Sequence, residues 1–537
     1  MPRYRRAALV LAACLGTFLA TLDISIVNVA LPTLQTALDT DIGGLQWVVN
    51  AYALALSAFM LSAGPLGDRY GHKRVWLASV ILFTAGSVVC ACAGSIEPLL
   101  IGRAIQGLAG ALLIPGAMPI LTHAFPDARE RARAIGGWSA FSALALILGP
   151  LVGGLLVEHG GWQNIFLVNV PIGIVTVLLG AWGIPERRHP QHAAFDPLGQ
   201  VLSVIWLGLL TYGLIGIGEA GAWHVKVLVP LAGAAVAFVA FVQVETRVER
   251  PLLPVWLFRD RRLVRANLAS FVLGFSGYSS LFFLSLFLQQ AQGRTPAEAG
   301  WQLMPQFVMT AITSMLFGRI AARIPLHALM VAGYGLIGAM LAVMAGFGAG
   351  TPYLPVGIAL AVLGVGMGLA VPATGMTVME LAPAERAGMA SATMNALRQT
   401  GMSMGIAVLG SMMSVGALHR MTDAMQAAGS AHADTLARQA VMEHVFAAGR
   451  PALLVAYRDA MAHGFSIAVL CSGILSILIA AMLMMRRETK QQSGRTVAAC
   501  VTSSQPESCG VPAGRAFRSG SGRPSDLPTF ADAQLQT

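Results

Sequence analysis

Charged residues are scarce in this sequence. Asp, Glu, Lys and Arg make up 11% of the 537 residues, whereas an ordinary soluble domain carries roughly a quarter. Hydrophobic residues make up 56%, which is more apolar surface than a soluble fold of this length can bury. Apolar runs of about 20 residues recur along almost the whole chain, and the alternating segments typical of membrane strands are missing. The composition therefore predicts an all-α polytopic membrane protein.

Lysine and cysteine are also scarce. The chain has three lysines and lacks the GxxxxGK[ST] loop that cradles a nucleotide phosphate, so we expect no ATP-driven transport without a separate ATPase subunit. The six cysteines form no CxxC pair, and the histidines lack the spacing of metal ligands. No catalytic constellation accompanies them. We therefore expect no enzyme activity, no metal, no cofactor and no disulfide framework.

The positive charge lies in short loops between the apolar runs. The net charge is +10 and comes mostly from arginines, without the basic face that nucleic-acid binding requires, so we expect no nucleic-acid partner. One set of loops, together with the start MPRYRR, carries most of these arginines. Because basic loops remain in the cytoplasm, we expect a multi-pass protein of the plasma (inner) membrane with both termini cytoplasmic. The first apolar run lacks a small-residue cleavage site, so we expect a retained span.

Hydropathy predicts fourteen spans, arranged as two sets of six with two additional spans between them. The predicted spans are 8–30, 46–66, 75–95, 98–121, 134–157, 163–184, 198–217, 225–243, 264–288, 297–318, 327–348, 352–376, 390–415 and 462–485. The predicted regions are an N-terminal six-helix bundle (1–190), two additional transmembrane helices with a basic cytoplasmic connection (191–263), a C-terminal six-helix bundle (264–486), and a disordered cytoplasmic tail (487–537).

The segment 416–462 is predicted to be an outer loop. Within it, ADTLARQAVMEHVF has apolar residues at helical spacing. The pattern predicts a helix that lies on the membrane or folds over the pore mouth.

Two charged residues lie inside apolar runs of the N-terminal set of spans. An ionised Asp inside a membrane span costs at least a few kcal/mol, so Asp23 in TLDISIVNVALP is a candidate for proton exchange; the alternative is a structural Asp bonded to helix backbone. Arg103 cannot give up its proton, so it must be paired or face a hydrated cavity; the alternative is helix packing. Gln106 lies on the next turn and could serve the same cavity.

A charged turn, GPLGDRYGHKR (64–74), follows the second span. Its glycines allow a tight connection between helices, and its acid could pair with a neighbouring base or with the positive end of a helix. We expect a conformational latch, and the alternative is a loop that only sets orientation. The predicted latch residues are Gly64, Asp68, Arg69, Gly71 and Lys73.

The fifth span contains small residues and a proline at which it could kink and pack closely. These residues are Gly149, Pro150, Gly153 and Gly154. Aromatic, amide and basic side chains within other spans are candidates for a substrate cavity, since they suit planar lipophilic compounds. The candidates are Asn28, Trp47, Asn50, Tyr52, Gln106, Tyr278, Phe282, Gln289 and Arg398.

Several of these segments, in this order, resemble motifs of the major facilitator superfamily and, within it, of the fourteen-span drug:proton antiporters. The resemblance covers roughly residues 8–485, and Ala145 departs from it where the fifth-span motif has Gly. The segments are TLDISIVNVALP, GPLGDRYGHKR, LIGRAIQGLAGA (100–111), GGWSAFSALALILGPLVGG (136–154), GWQNIFLVNVPIG (161–173) and FDPLG (195–199). The resemblance implies a major facilitator fold, multidrug efflux by alternating access, and a role for Arg103 in proton coupling with Asp23.

The sequence therefore predicts a proton-coupled exporter of lipophilic compounds, with small molecules, protons and the lipid bilayer as partners. Because one membrane carboxylate balances about one positive charge, we expect neutral or monocationic substrates rather than dications. Two alternatives stay open: a dedicated exporter of one natural product or metabolite, and an inner-membrane pump subunit that docks a periplasmic adaptor through 416–462.

Overall fold

The computed structural model describes residues 2–186, 196–248, 260–383, 386–430, 432–442 and 451–485. Residues 1–485 form one compact unit. Its described part contains fourteen helices long and apolar enough to cross a membrane, which confirms the predicted all-α polytopic fold. The predicted cytoplasmic tail, most of the basic connection (249–259) and residues 443–450 of the outer loop lie outside the described residues.

Eight helices form the first six spans, which we call the N-terminal half. They are α1 (Arg3–Ala37), α2 (Ile42–Met60), the short α3 (Ala63–Tyr70), α4 (His72–Ala91), α5 (Ile96–Ala124), α6 (Ala128–Gly160), the short α7 (Asn164–Leu167) and α8 (Asn169–Gly183). Two further helices follow, α9 (Pro197–Ala220) and α10 (Val225–Glu245).

The remaining helices form what we call the C-terminal half. They are α11 (Arg261–Val272), α12 (Ser280–Leu286), α13 (Pro296–Gln302), α14 (Met304–Ala321), α15 (Leu326–Met344), α16 (Tyr353–Leu381), α17 (Ala387–Ala427), α18 (Ala433–Met442) and α19 (Pro451–Met484). Two π-helical turns, Leu273–Tyr278 and Phe287–Ala291, interrupt the first span of this half. Such turns are frequent at functional sites.

Several helices differ in length from the predicted spans. α2 ends at Met60, and the predicted end of that span belongs to α3. α17 continues to Ala427, and α19 begins at Pro451, so much of the predicted outer loop is helical extension. Hydropathy detects only the apolar part of a helix, whereas backbone hydrogen bonding continues into polar residues beyond the membrane.

The two ends of the bundle differ in how the halves meet. We call the end where α1 begins the terminal face and the opposite end the distal face. Residues near the distal face in the N-terminal half, such as Leu31, Leu34 and Leu45, share one hydrophobic core with the C-terminal half. Toward the terminal face the N-terminal half has a separate core around Trp76 and Phe83. The halves therefore share a core at the distal face and have separate cores toward the terminal face, where Ser57 of α2 is still hydrogen-bonded to Ala396 and Thr400 of α17.

The additional helix α9 lies at the seam between the halves. Near the terminal face, Gln200 of α9 donates from Nε2 to the backbone oxygen of Ala58 (3.0 Å) and accepts from Ser62 Oγ (2.6 Å). Near the distal face, Ser411 of α17 donates to the backbone oxygen of Leu214 (2.7 Å). α9 thus contacts both halves, while α10 packs on α9 and exposes most of its surface.

Candidate functional site

Asp23 lies on α1 with its side chain completely buried. Its carboxylate forms an ion pair with Nη1 of Arg103 on α5, which is 1% exposed. Gln106, one turn further along α5, donates from Nε2 to the other carboxylate oxygen at 3.1 Å. The structure therefore brings together the two predicted proton-coupling residues and the predicted glutamine.

A second group of polar side chains completes this cluster. Asn169 of α8 donates from Nδ2 to Asp23 Oδ1 (3.4 Å) and to Ser87 Oγ of α4 (3.3 Å). Gln106 also donates to Ser87 (2.8 Å), and its Oε1 accepts from Cys90 Sγ (3.5 Å). Ser87 and Asn169 were not predicted as site residues; the signal that could have identified them is a polar side chain in the middle of an apolar run.

Arg103 is held from three further directions. Its Nε donates to the backbone oxygen of Val48 on α2 at 3.0 Å. Its guanidinium lies 4.5 Å from the centroid of the Tyr52 ring and 5.9 Å from that of Phe166. Tyr52 in turn donates from its hydroxyl to the backbone oxygen of Ala20 (3.2 Å). Tyr52 was predicted as a cavity residue, and the structure places it beside the ion pair.

The ion pair is buried, and hydrogen bonds connect Asp23 to α5 and α8, so a change in its charge would affect these neighbouring helices. Taking either partner away leaves an uncompensated buried charge, which costs about 3–5 kcal/mol. Protonation of Asp23 removes the anion that Arg103 faces, which weakens the hydrogen bonds that α5 and α8 donate to this carboxyl group. The arrangement can therefore link the protonation of one carboxylate to the packing of α1 against its neighbours.

The C-terminal half contains a second cation, Arg398 on α17. Its Nη2 donates to Asn395 Oδ1 at 2.6 Å, and its guanidinium lies 5.2 Å from the centroid of the Tyr278 ring. Tyr278 ends the first π-helical turn, and all three side chains are half-buried. The structure thus brings together two predicted cavity residues, Tyr278 and Arg398, in the half opposite Asp23.

The predicted small-residue motif of α6 forms close contacts with two helices. Gly149 and Gly153 lie against Ser25 and Ile26 of α1, where an added Cβ would clash with both. Gly154 lies against the backbone of Pro296 on α13. Pro150 also contacts α13, because its backbone oxygen lies where a Cβ on Gly300 would be. The motif therefore joins the halves near the distal face.

Polar contacts reinforce this distal seam. Glu158 of α6 accepts from Thr295 Oγ1 (2.9 Å) and from the backbone N–H of Ala297 (3.1 Å), at the start of α13. Ser285 of α12 donates to the backbone oxygen of Asn28 (2.6 Å), and Gln289 donates to that of Val29 (3.0 Å). Asn28 and Gln289, both predicted cavity residues, lie at this seam.

The other three predicted cavity residues lie in three different environments. Trp47 of α2 packs against Tyr212 of α9, with ring centroids 6.1 Å apart. Phe282 is 1% exposed and packs edge-to-face on Phe283 within the core. Asn50 is fully buried, and neither of its amide atoms has a hydrogen-bond partner among the described residues. The sequence could not separate these environments because all three side chains occupy apolar runs.

The charged turn has different partners from those expected. Asp68 pairs with His72 Nε2 (3.1 Å) rather than with Arg69 or Lys73. Lys73 donates from Nζ to the backbone oxygen of Ala181 (2.6 Å) and from its backbone N–H to Glu186 (3.2 Å), beyond α8.

Two of the predicted latch glycines differ in their surroundings. Gly71 has φ of 102°, a conformation that favours glycine, and it connects α3 to α4. Gly64 has open space where a side chain would extend.

Two further carboxylates are buried near the terminal face, one at the start of α9 and one at the end of α10. Asp196 caps α9 by accepting from the backbone N–H of Gly199 (2.9 Å). Glu245, 4% exposed, ends α10, and both carboxylates lie close to Gly199. Glu245 was not predicted as a site residue, because it lies beside the arginines of the basic connection and reads as part of that loop.

The predicted helix of the outer loop is present as α18. Ala437, Ala440 and Val441 form its buried side and pack against the distal extension of α17. The backbone oxygen of Met442 accepts from Gln35 at the end of α1 (3.4 Å). α18 therefore lies over the distal ends of both halves, and its apolar side is covered.

The described residues form fourteen membrane-length helices, in two six-span halves with two further helices between them in the chain and a buried ion pair inside the N-terminal half, which defines a multi-pass membrane transport protein. The model of the Major Facilitator Superfamily matches residues 13–406. The chain belongs to this superfamily, which confirms the resemblance found in the motifs.

Relatives and solved structures agree with this assignment. The chain is 34% identical over 406 residues to the methylenomycin A resistance protein of Bacillus subtilis (strain 168), covering 75% of this chain and 86% of that protein. It is 36% identical over 406 residues to the multidrug resistance protein Stp of Mycobacterium tuberculosis (strain CDC 1551 / Oshkosh), covering 75% of each. A bacterial homologue of the human lysosomal transporter Spinster, in an inward-facing and unoccupied conformation, has the same fold (TM-score 0.60, 19% identity, 91% of this chain and 100% of that chain).

Proposed function

We propose that this protein exports lipophilic, neutral or singly charged compounds from the cell in exchange for protons. The buried Asp23–Arg103 pair carries the proposal, because it supplies one titratable carboxylate inside a bundle whose halves share a hydrophobic core at one face only. The names of the relatives support export of antibiotics and other drugs as the broader activity. A proton entering down its gradient supplies about 2.3 kcal/mol per charge per 100 mV of membrane potential.

The arginine-rich terminal face is the cytoplasmic one in this proposal, in a plasma (inner) membrane. In this proposal the shared distal core belongs to a state that is closed at the distal face. Substrate enters between the halves, and a change in the protonation of Asp23 accompanies the switch to a state open at the distal face. The turn 64–74, whose bonds reach the end of α8 through Lys73 and Glu186, acts as a latch at the terminal face.

Proton release in proteoliposomes tests this function. The full chain is reconstituted without other proteins, and a panel of neutral, monocationic and dicationic compounds is added while the lumenal pH is followed. The wild-type protein should move protons in response to neutral compounds and monocations, and Asp23→Asn should not. Asp423→Asn, which removes an exposed acid on α17, is the matched control and should behave as the wild type.

The same experiment separates the alternatives. Proton movement driven by only one compound would favour the dedicated exporter. Transport by the isolated chain would show that it needs no periplasmic adaptor. Proton coupling that persists in Asp23→Asn would overturn the role of this carboxylate.

A further inference from the structure

Acidic residues in the described spans of the C-terminal half lie near helix ends. They are Glu298, Glu380, Asp423 and Asp459. Arg398, in contrast, lies 12 residues into the 41-residue helix α17, and no ion pair formed among the described residues includes it. Among its described residues, this half therefore has an interior cation and no interior carboxylate to neutralise it.

Arg398 is oriented but incompletely bonded. One guanidinium nitrogen donates to Asn395, and the Tyr278 ring lies beside the cation. Its Nε is buried and has no hydrogen-bond partner among the described residues. The backbone oxygen of Arg398 lies against Gly274, where any side chain would clash, so the first π-helical turn fixes the position of α17. Since a guanidinium has five N–H donors, most remain for a ligand or water.

The two interior arginines differ in their charge balance. Arg103 is fully buried, and Asp23 neutralises it, so the polar cluster of the N-terminal half has no net charge when the carboxylate is ionised. Arg398 is half-buried and remains positive. The expectation of monocationic substrates assumed a carboxylate free to balance a cation, but in this state Asp23 already has that partner.

An unneutralised arginine inside a membrane protein is costly, and such residues mark pathways for substrates or ions. A guanidinium binds carboxylates and phenolates by charge-assisted hydrogen bonds, and the Tyr278 ring adds a face for a planar apolar group. Met367 lies beside Gly277 in the same region and can adapt to different shapes.

We propose that Arg398 and Tyr278 form a substrate subsite for lipophilic compounds with one anionic oxygen group, a carboxylate or a phenolate. The proposal deepens the export function and rests on it. Neutral compounds with a strong acceptor oxygen bind the same subsite more weakly, and dications are excluded. Asn395 is a positioning residue, because it holds the guanidinium beside the ring.

Two dyes with one skeleton and opposite charge test the subsite. Fluorescein methyl ester is a monoanion with a phenolate oxygen, and rhodamine 123 is a methyl ester monocation. Binding of each to the full chain in lipid nanodiscs is measured by fluorescence anisotropy. The wild-type Kd for the anion should be lower than that for the cation by about tenfold.

Variants of Arg398 separate binding from a structural role. Arg398→Gln should raise the Kd for the anion about tenfold and leave that for the cation within about twofold, because it removes the charge and retains hydrogen bonding. Arg398→Lys should retain part of the preference, since it keeps the charge without the planar fork. Arg323→Gln removes an exposed arginine of the same half and is the matched control. An anion-to-cation ratio that is unchanged in Arg398→Gln, or an anion that does not bind the wild type, would overturn the subsite.

Proton-driven export of both dyes from proteoliposomes distinguishes this proposal from the function on which it rests. Export that is proton-driven but indifferent to Arg398 overturns the subsite and leaves the transporter intact. Binding that depends on Arg398, without proton-driven export of either dye, overturns the transport mechanism and leaves the subsite. Asp23→Asn should abolish coupled export while anion binding persists.

Discussion

Gly154 of α6 lies directly against Pro296 of α13, and a Cβ added at Gly154 would be 2.5 Å from the backbone oxygen of Pro296. This contact joins the two halves next to the hydrogen bonds of Glu158. It allows two backbones to approach without side chains between them, which is the usual role of small residues between membrane helices. The distal seam therefore depends on the absence of a side chain at Gly154, as it does at Gly300, which lies against Pro150.

A larger residue at this position should open the seam. Gly154→Leu forces α6 away from α13, and overpacking of this kind costs roughly 1–3 kcal/mol. We expect a shift toward states open at the distal face, measured as faster maleimide labelling of a cysteine placed at Gln289. Gly137→Leu is the control on the same helix, because Gly137 has open space around it. Equal labelling in the two variants would contradict the prediction.

Glu158 should stabilise the same closed seam. Glu158→Gln replaces a carboxylate that accepts two hydrogen bonds from the start of α13 by a weaker acceptor. We expect loss of about 1 kcal/mol of the closed state and faster labelling of the cysteine at Gln289. Glu97→Gln is the control, since Glu97 is a distal acid whose described hydrogen bond is with nearby Ser95. The idea fails if both variants label at the wild-type rate.

The ion pair should show strong coupling between its partners. Asp23→Asn and Arg103→Gln each leave one buried charge unpaired, which lowers the free energy of unfolding by about 3–5 kcal/mol. The double variant removes both charges and should be more stable than either single variant. Thermal unfolding of the four proteins in detergent completes the cycle. Additive losses in the double variant would show that the two side chains do not act as a pair.

Docking of α9 should depend on Gln200. Gln200→Leu removes its hydrogen bonds to Ala58 and Ser62 and leaves the Ala58 oxygen without this donor, at a cost of about 1–3 kcal/mol. We expect a lower midpoint of thermal unfolding and easier proteolysis near the start of α9. Gln243→Leu, at an exposed site on α10, is the control. Unchanged stability in Gln200→Leu would show that apolar packing alone holds α9.

The order and number of helices could be predicted from the sequence because a membrane span is a local property of about 20 residues. The pairing of Asp23 with Arg103 could only be suggested, since 80 residues separate them and their meeting depends on how α1 crosses α5. Tyr52 illustrates what the sequence cannot show: its aromatic ring predicted a cavity residue, whereas the fold places the ring beside the Arg103 guanidinium.

Other features depend on contacts that no local pattern encodes. Ser87 and Asn169 are short polar residues in apolar runs, and only the position of α4 and α8 around Asp23 shows what they bind. Asp68 pairs with His72 because both lie close together where α3 meets α4, which the spacing of charges did not reveal. Arg398 was predicted as a polar cavity residue, but only the structure shows that it has no acidic partner among the described residues.

In the proposed proton exchange, the shared core at the distal face also limits wasteful proton flow. Opening this face would separate apolar side chains such as Leu31, Leu34 and Phe287 and expose them to water, which is unfavourable by roughly 25 cal/mol per Å². A substrate that fills the space between the halves offsets part of this cost. An empty protein should therefore rarely open at the distal face, so the proposed transport cycle would keep the proton gradient when nothing is exported.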